Sequence, residues 1–110
     1  MSEQVKEFIA PLSEEIRTLY DELRILVMDS IVLDIKEVLW AKLPSYYVDE
    51  RFVRLIPFKD HINIEARAIQ HHKAELDGFK LTPKGMLQLY LGQEIPKERL
   101  QIIFRETLLG

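Results

Sequence analysis

The 110-residue chain contains no cysteine, and this absence excludes disulfide bonds, thiolate metal sites and cysteine nucleophiles. Glycine occurs only four times, and none of the four belongs to a glycine-rich loop with the spacing that holds a dinucleotide or a nucleoside triphosphate. The sequence also lacks a serine nucleophile elbow and the His-Glu-x-x-His pattern of zinc proteases. Catalysis therefore finds little support in the sequence, and a role other than an enzyme is the expectation.

Long apolar runs and a strong excess of one charge are also missing. No stretch approaches the roughly 18 apolar residues of a membrane-spanning helix, and the polar residues after Met1 are not typical of a signal peptide. The net charge of −3 argues against nucleic-acid binding, which needs a concentrated basic surface. We therefore expect a cytoplasmic protein with one domain over residues 1–110 and with no membrane or nucleic-acid partner.

A long amphipathic helix over about residues 13–31 is the strongest periodic signal in the chain. Its apolar side chains recur at helical spacing along one face, and Ser13 is a natural N-cap. A shorter amphipathic segment precedes this helix, with Val5, Phe8 and Ile9 on one side. The chain therefore begins with two helical segments, each with a single apolar face to bury.

The opposite face of the long helix is acidic, and its carboxylates continue into the residues that follow the helix. Such a face is typical of a solvated surface helix. It could equally attract a hard cation such as Fe²⁺, because clustered carboxylates bind these ions through oxygen. The candidate metal ligands are Glu14, Glu15, Asp21, Glu22, Asp29, Asp34 and Glu37. Without a fixed ligand spacing, any affinity should be weak.

The stretch from Leu43 to Ala66 is extended and alternating, which predicts antiparallel strands. Residues 36–43 suit a first strand that Pro44 ends or kinks, because proline cannot donate a ladder hydrogen bond. Pro57 within the next extended run predicts an edge position or a bulge. Trp40, the only tryptophan, is expected to pack in the core or at its rim.

The second half of the chain predicts a helix over residues 66–77, then a strand over residues 86–91 and a final helix. His72 shares the apolar stripe of the first of these helices, which favours a partly buried and hydrogen-bonded histidine over a ligand. His71 and Glu75 are spaced to share a metal on the other face, although two ligands are a weak signal. Pro96 suits the first turn of the final helix.

A second group of candidates lies around the predicted sheet. Lys84 and the Gly85 amide could hold a small anion, although a turn that merely needs glycine explains the same residues. A polar or anionic ligand could also be held by several side chains together. This ligand-binding set is Lys42, Tyr46, Lys59, His61 and Lys84. Their convergence would need a concave pocket lined by Trp40 and Tyr46.

Taken together, the segments predict an α+β fold with the order α-β-β-β-α-β-α. An antiparallel sheet of three or four strands should carry helices on one face only, because each helix has one apolar stripe. Ile102 and Leu109 fall off the apolar face of the last helix. That exposed apolar area is compatible with a homodimer.

Short motifs in a fixed order give the chain a resemblance to a known family. They are Glu37-Val38-Leu39, Leu43-Pro44-Ser45-Tyr46-Tyr47, Phe58-Lys59-Asp60-His61-Ile62, Leu76-Asp77-Gly78-Phe79-Lys80, Lys84-Gly85 and Ile95-Pro96. Over about residues 11–108 the chain resembles the YdhG-like bacterial domains, in which some members are described as frataxin-like intracellular iron chaperones. One departure is Ala41-Lys42, where the family often has an aromatic residue and a glycine.

The resemblance implies an iron chaperone that passes iron to a protein partner, and the acidic helix face found from the residues is where such a chain would hold the iron weakly. The alternative, drawn from the residues alone, is a non-enzymatic module that binds a small ligand or a protein through the sheet. Iron is the only cofactor that the first hypothesis requires, and the second requires none.

Overall fold

The computed structural model describes all residues from Met1 to Gly110 and contains three α-helices and six strands. The helices are α1 (Glu3–Ile9), α2 (Glu14–Met28) and α3 (Lys97–Leu109). The strands are β1 (Lys36–Trp40), β2 (Leu43–Val48), β3 (Arg51–Pro57), β4 (His61–Ala66), β5 (Lys80–Leu81) and β6 (Leu87–Tyr90). The α+β class is confirmed, but the prediction of three or four strands and of their order is wrong.

All six strands form one antiparallel sheet in the order β1-β2-β3-β4-β6-β5. The first four strands form a meander, so the β1–β2 and β3–β4 turns lie at one end of the sheet and the β2–β3 turn at the other. Because β6 runs antiparallel to β4, with His61 opposite Tyr90, the turn between β5 and β6 lies at the β2–β3 end.

Residues 36–43, predicted as one strand, form strand β1, a turn and the first residue of strand β2. A two-residue turn, Ala41-Lys42, separates Trp40 from its cross-strand partner Leu43. Both turn residues are left-handed, with φ of 50° and 65°. Glycine or asparagine usually occupies such positions in short hairpins. Neither residue is present here, which is why the sequence did not reveal the turn.

The two prolines in the strands occupy places where their missing N–H is not needed. Pro44 pairs with Leu39 of β1, but the pairing of β2 with β3 begins only at Ser45. Pro57 is the last residue of β3, beyond the Arg54 position where that strand stops pairing with β2. Strand β3 is therefore central rather than an edge, and Pro57 is tolerated because one side of it is unpaired.

The helices α1 and α2 form as the sequence predicts, although α2 ends three residues earlier than expected. The Ser13 hydroxyl accepts a hydrogen bond from the Ile16 N–H at 3.2 Å and caps the helix. The apolar stripe of α2 is buried as a whole: Ile16, Leu19, Tyr20, Leu23, Leu26 and Val27. In α3 the apolar residues Leu100, Ile103, Phe104 and Leu108 are also buried.

One hydrophobic core fills the space between the helices and one face of the sheet. Its strand residues alternate along the chain, as half-buried strands require. They are Tyr46, Val48, Val53, Leu55, Ile62, Ile64, Ala66, Leu87 and Leu89. The opposite face of the sheet carries no helix, in agreement with the prediction that the helices lie on one side.

The helix predicted over residues 66–77 is replaced by two short 3₁₀ helices, Arg67–His71 and Lys73–Leu76. Strand β4 extends to Ala66, where it still pairs with Val53, and His72 has a φ of −125° that interrupts the helix. His72 is buried, with Nε2 at 2.8 Å from a Glu106 oxygen and Nδ1 at 3.1 Å from Arg99. The hydrogen-bonded histidine is therefore confirmed.

Candidate functional site

The face of the sheet opposite the helices is a continuous surface of aromatic and polar side chains, here called the uncovered face. The strand register assigns its residues, because cross-strand partners point to the same side. They are Lys36, Val38, Trp40, Leu43, Ser45, Tyr47, Phe52, Arg54, Ile56, His61, Asn63, Glu65, Lys80, Gln88 and Tyr90. No helix shields this surface, and Trp40 is 52% exposed.

Arg54 occupies the centre of the uncovered face between two aromatic rings. Its guanidinium carbon lies 4.1 Å from the Trp40 ring centroid and 3.7 Å from that of Phe52. Such contacts attract the cation to the negative ring faces and contribute about 0.5–2 kcal/mol each. Only 7% of Arg54 is exposed, so the rings and their neighbours replace most of its hydration.

Polar partners fix the orientation of the Arg54 guanidinium. It donates hydrogen bonds to the Ser45 hydroxyl at 3.1 Å, the Tyr47 hydroxyl at 2.9 Å and the Glu65 carboxylate at 3.2 Å. A side chain with this many partners has little freedom left to lose when a ligand binds. The ion pair between Arg54 and Glu65 also neutralises Glu65, which is the single carboxylate among the strand residues of the uncovered face.

A second aromatic cluster lies at the end of the uncovered face near the β3–β4 turn. The His61 ring is stacked between Phe58, at a centroid distance of 4.7 Å, and Tyr90, at 4.6 Å. The ammonium group of Lys80 lies 5.5 Å from the Tyr90 centroid on the neighbouring strand. The histidine is thus held as the middle ring of a stack, and Phe58 remains 46% exposed.

Hydrogen bonds define which nitrogen of His61 carries the proton. Its Nδ1 lies 2.8 Å from an oxygen of Asp60, and a carboxylate can only accept. Gln88 Nε2 lies 3.5 Å from His61 Nε2 and donates to Asn63 Oδ1 at 3.2 Å. Nδ1 of His61 is therefore the donor to the Asp60 carboxylate. The hydrogen bond from His61 lowers the pKa of Asp60 below its usual value.

The lysines around the uncovered face have no carboxylate partners. Lys36, Lys42, Lys59 and Lys80 are all exposed, and none forms one of the ion pairs of this structure. Residues 36–90 contain nine Lys or Arg and seven Asp or Glu, whereas residues 1–35 contain three and eight. The net charge of −3 is therefore unevenly distributed: the N-terminal helical part is acidic, and the sheet part is mildly basic.

The predicted ligand-binding set is not brought together. Lys42, Lys59 and His61 lie at the end of the sheet that contains the β1–β2 and β3–β4 turns. Lys84 lies at the opposite end, in the turn before β6. Tyr46 is fully buried on the helix side, so the expected pocket lined by Trp40 and Tyr46 does not form. The reason is the strand register, which points Trp40 and Tyr46 to opposite faces.

Tyr46 instead belongs to a buried polar network beneath the sheet. Its hydroxyl lies 2.5 Å from the Tyr20 hydroxyl of α2. Burial, followed by the neighbouring phenol, raises the pKa of Tyr46 far above its usual value, and burial likewise raises that of Tyr20. Both hydroxyls therefore stay protonated, and their role is to join α2 to the sheet.

Glu37 belongs to the same network rather than to an exposed acidic ridge. It receives hydrogen bonds from Arg24 Nε at 2.6 Å and from the Ser2 N–H at 2.6 Å. Burial by itself would raise the pKa of Glu37, but the hydrogen bonds from Arg24, Ser2 and Tyr46 outweigh it and lower the pKa. Its side chain is only 6% exposed, so Glu37 connects α1, α2 and β1.

The other predicted metal ligands remain on the surface. Glu14, Glu15, Asp21, Glu22, Asp29 and Asp34 are all exposed. No three or more His, Asp or Glu side chains lie close enough together to form a metal-binding group. Glu15 and Glu22 line a groove of about 840 Å³ between α2 and the segment that enters α3, together with Glu94 and Glu98. Weak iron binding stays a prediction.

Arg54, at the centre of the uncovered face, is not among the residues predicted from the sequence. Arg54 alternates with Val53 and Leu55, which are core residues, and lies two residues from Phe52. The signal that could have identified Arg54 is a cation between two apolar residues of a strand, with an aromatic residue two positions away on the same face of that strand. The contact between Arg54 and Trp40 depends on the register of β1, β2 and β3. This register could not be predicted, because the turn at Ala41-Lys42 has no recognisable sequence signal.

Comparisons with known proteins add no relative to this description. A scan against family models, a search of curated proteins and a search of solved structures each returned no match. The resemblance to the YdhG-like domains therefore stays a prediction, as do the protein partner and the homodimer. None of the helices has the length and apolar character needed to cross a membrane.

Proposed function

We propose that this chain is a binding module whose uncovered face docks an acidic segment of a partner protein. The observation that supports this most is Trp40, a half-exposed tryptophan on a sheet face that no helix covers. Tryptophan, tyrosine and arginine supply most of the binding energy in protein interfaces. Here all three types are adjacent, with Arg54 already fixed by its hydrogen bonds.

Charge complementarity favours an acidic partner. The lysines at the border of the uncovered face, Lys36, Lys42, Lys59 and Lys80, form none of the ion pairs of the structure. Glu65 on this face is paired with Arg54 at 3.2 Å, and Asp60 beside it accepts a hydrogen bond from His61 at 2.8 Å. A partner carboxylate would meet unpaired cations at the border and aromatic rings at the centre.

The contacts of the aromatic rings favour a protein partner over single-stranded nucleic acid. Stacking of bases needs free ring faces along a basic groove. Arg54 already covers one face of Phe52 and one of Trp40, and His61 fills the space between Phe58 and Tyr90. Few ring faces are left for bases, whereas the edges and the exposed part of Trp40 suit contact with a peptide.

The single tryptophan provides a direct test of this proposal. Titration with poly-L-glutamate at low salt should shift Trp40 emission to shorter wavelength in a saturable manner, because contact removes water from the indole. Added sodium chloride should weaken the effect, since exposed charges are screened. An oligothymidylate of similar charge should bind more weakly, and poly-L-lysine should cause no shift.

Two sets of variants locate the interaction. Replacing Lys36 and Lys59 together by glutamine should weaken binding about three- to tenfold, because an exposed ion pair contributes about 0.2–1 kcal/mol. The matched control is Lys6→Gln, an exposed lysine on α1, which should leave the affinity unchanged. The proposal is contradicted if Lys6→Gln weakens binding as much as the double variant does, or if Trp40 emission does not respond to polyglutamate. If the oligothymidylate binds more tightly than polyglutamate, the partner is a nucleic acid and not a protein.

The iron-chaperone function that the resemblance implies is the second candidate. The observation in its favour is the groove beside α2, where Glu15 and Glu22 lie with Glu94 and Glu98. An anaerobic NMR titration with Fe²⁺ should broaden the amides of residues 14–34 first, because the ion is paramagnetic and binds exposed carboxylates. Broadening spread over the whole surface, or confined to His71, would count against this candidate.

A further inference from the structure

A pocket at the β2–β3 end of the sheet is separate from the Trp40 region. It has a volume of about 390 Å³ and lies where three segments meet: the start of β3, the residues after β4, and the turn before β6. Thr107 of α3 closes its far side. Small-molecule sites measure roughly 300–1,000 Å³, so this pocket is large enough for a small organic ligand.

Three cations from three different segments line the pocket: Arg51 of β3, Arg67 of the first 3₁₀ helix and Lys84 of the turn. Arg51 is positioned by a hydrogen bond from Nε to the Leu108 carbonyl oxygen at 2.7 Å. Arg67 and Lys84 form none of the side-chain hydrogen bonds or ion pairs of the structure. Two unpaired cations therefore border one cavity.

The turn that carries Lys84 has a defined shape. Thr82 closes it twice, since its carbonyl oxygen accepts from the Gly85 N–H at 2.8 Å and its hydroxyl accepts from the Met86 N–H at 3.0 Å. Gly85 takes a left-handed φ of 89°. Because the Gly85 amide is already bonded, it is not free for an anion, and the charge of Lys84 is the group that the turn presents.

The acidic residues in the pocket do not cancel these cations. Glu65 lines it but is bound to Arg54 at 3.2 Å, so its charge is already compensated. Glu50 is the other carboxylate, and it is exposed. Arg51 is likewise paired, with Asp49 at 4.0 Å. With the Arg54–Glu65 and Arg51–Asp49 pairs set aside, Arg67 and Lys84 face one carboxylate, and the pocket favours a negatively charged ligand.

We propose that this pocket binds a small organic oxyanion, a carboxylate or a phosphate ester, with a compact apolar body. Arg67 and Lys84 hold the anionic group, since guanidinium and ammonium groups donate strongly to such oxygens. Phe52, Ala66 and Met86 form the apolar wall against the body of the ligand. The pocket shares Phe52 and Glu65 with the uncovered face but not Trp40 or the border lysines, so the proposal does not rest on the docking function of that face.

Phenyl phosphate and benzoate are suitable probes, because they share a ring and differ in the anionic group. A ¹H–¹⁵N NMR titration of the full chain should give saturable shifts at the amides of Gln70, Gly85 and Met86. Sodium chloride at matched ionic strength should not reproduce them. The probe that binds with the higher affinity identifies the preferred anionic group. The affinity of inorganic phosphate, compared with that of phenyl phosphate, shows how much the apolar wall contributes to binding.

Variants of the two free cations make the test specific. Arg67→Gln and Lys84→Gln should each weaken the better probe by about tenfold. Lys73→Gln, an exposed lysine outside the pocket, is the control and should change nothing. Lys84 lies in an exposed turn, so its variant will fold even if that of Arg67 does not. Linear, non-saturating shifts, or equal loss in the control, would overturn the proposal while leaving the Trp40 titration unaffected.

Discussion

The two faces of the sheet are built from alternate residues of the same strands, yet they are stabilised in different ways. The helix side of β3 presents Val53 and Leu55, both fully buried in apolar contacts. The uncovered side of the same strand presents Phe52 and Arg54, joined by a cation–π contact at 3.7 Å. Arg54 is nearly as inaccessible as a core residue although no helix covers it.

The difference shows that burial alone does not distinguish a core from a binding surface. On the helix side the removal of apolar area from water supplies the stabilisation. On the uncovered face the arginine is covered by its own neighbours, and its hydrogen bonds fix a pattern of charge and rings. Core residues on the helix side can be replaced only by residues of similar size, whereas the exposed lysines at the border of the uncovered face can be changed in charge while the fold persists.

Adjacent residues of β3 provide the largest expected contrast between the faces. Leu55→Ala should lower the free energy of unfolding by about 2–5 kcal/mol, because it leaves a cavity in the core. Ile56→Ala, on the uncovered side, should cost about 1 kcal/mol or less, since Ile56 is only half-buried. Urea unfolding followed by circular dichroism measures both. Equal losses would mean that both faces are packed alike.

The buried network beneath β1 gives an effect of intermediate size that depends on pH. Glu37→Gln should cost about 2–4 kcal/mol at pH 7, because Arg24 then lacks its counter-charge in a nearly buried position. The pKa of Glu37 is lowered in the folded state from the ordinary 4.5. Its stabilisation is therefore complete above about pH 4.5 and is lost as the pH falls through the folded value.

Urea unfolding at pH 7 and at about pH 3 tests this sign, because the wild type should lose more stability between these pH values than the Glu37→Gln variant. Glu15→Gln, an exposed carboxylate on α2, is the control and should stay within about 0.5 kcal/mol of the wild type. If the variant and the wild type lose stability in parallel, Glu37 is not ionised within the network.

The sequence identifies the helix side of the molecule much better than the uncovered face. The stripe of α2 and the buried positions of α3 follow from apolar spacing, which reflects burial directly. The uncovered face depends on register, and register depends on the turn at Ala41-Lys42, which carries neither glycine nor asparagine. Misplacing that turn put Tyr46 beside Trp40, although the two point to opposite sides.

The prediction of one helix over residues 66–77 is wrong for a related reason. Ile69 and His72 are three residues apart, a spacing that suits a 3₁₀ helix as well as an α-helix. Only the pairing of Ala66 with Val53 and the bonding of His72 to Glu106 decide between them, and both contacts join distant parts of the chain. The cations of the pocket, Arg67 and Lys84, are likewise assembled by this packing and share no local motif.

The smallest expected effect on stability concerns the turn at Ala41-Lys42 between β1 and β2. Lys42→Gly should raise the free energy of unfolding by about 1 kcal/mol, because a left-handed φ of 65° strains any residue with a Cβ atom. Lys59→Gly is the control, since Lys59 does not have a positive φ, and it should give no gain. Thermal unfolding suffices to compare the two. A loss of stability in Lys42→Gly would show that the lysine side chain contributes more than its backbone strain costs.

The position of α3 after all six strands has a consequence for synthesis. The strands emerge from the ribosome before α3, and the first four can pair through short turns as soon as they appear. Until Leu100, Ile103, Phe104 and Leu108 are made, the apolar side of the sheet has only the N-terminal helices as its cover. The nascent protein therefore presents a partly open apolar sheet of the kind that chaperones recognise.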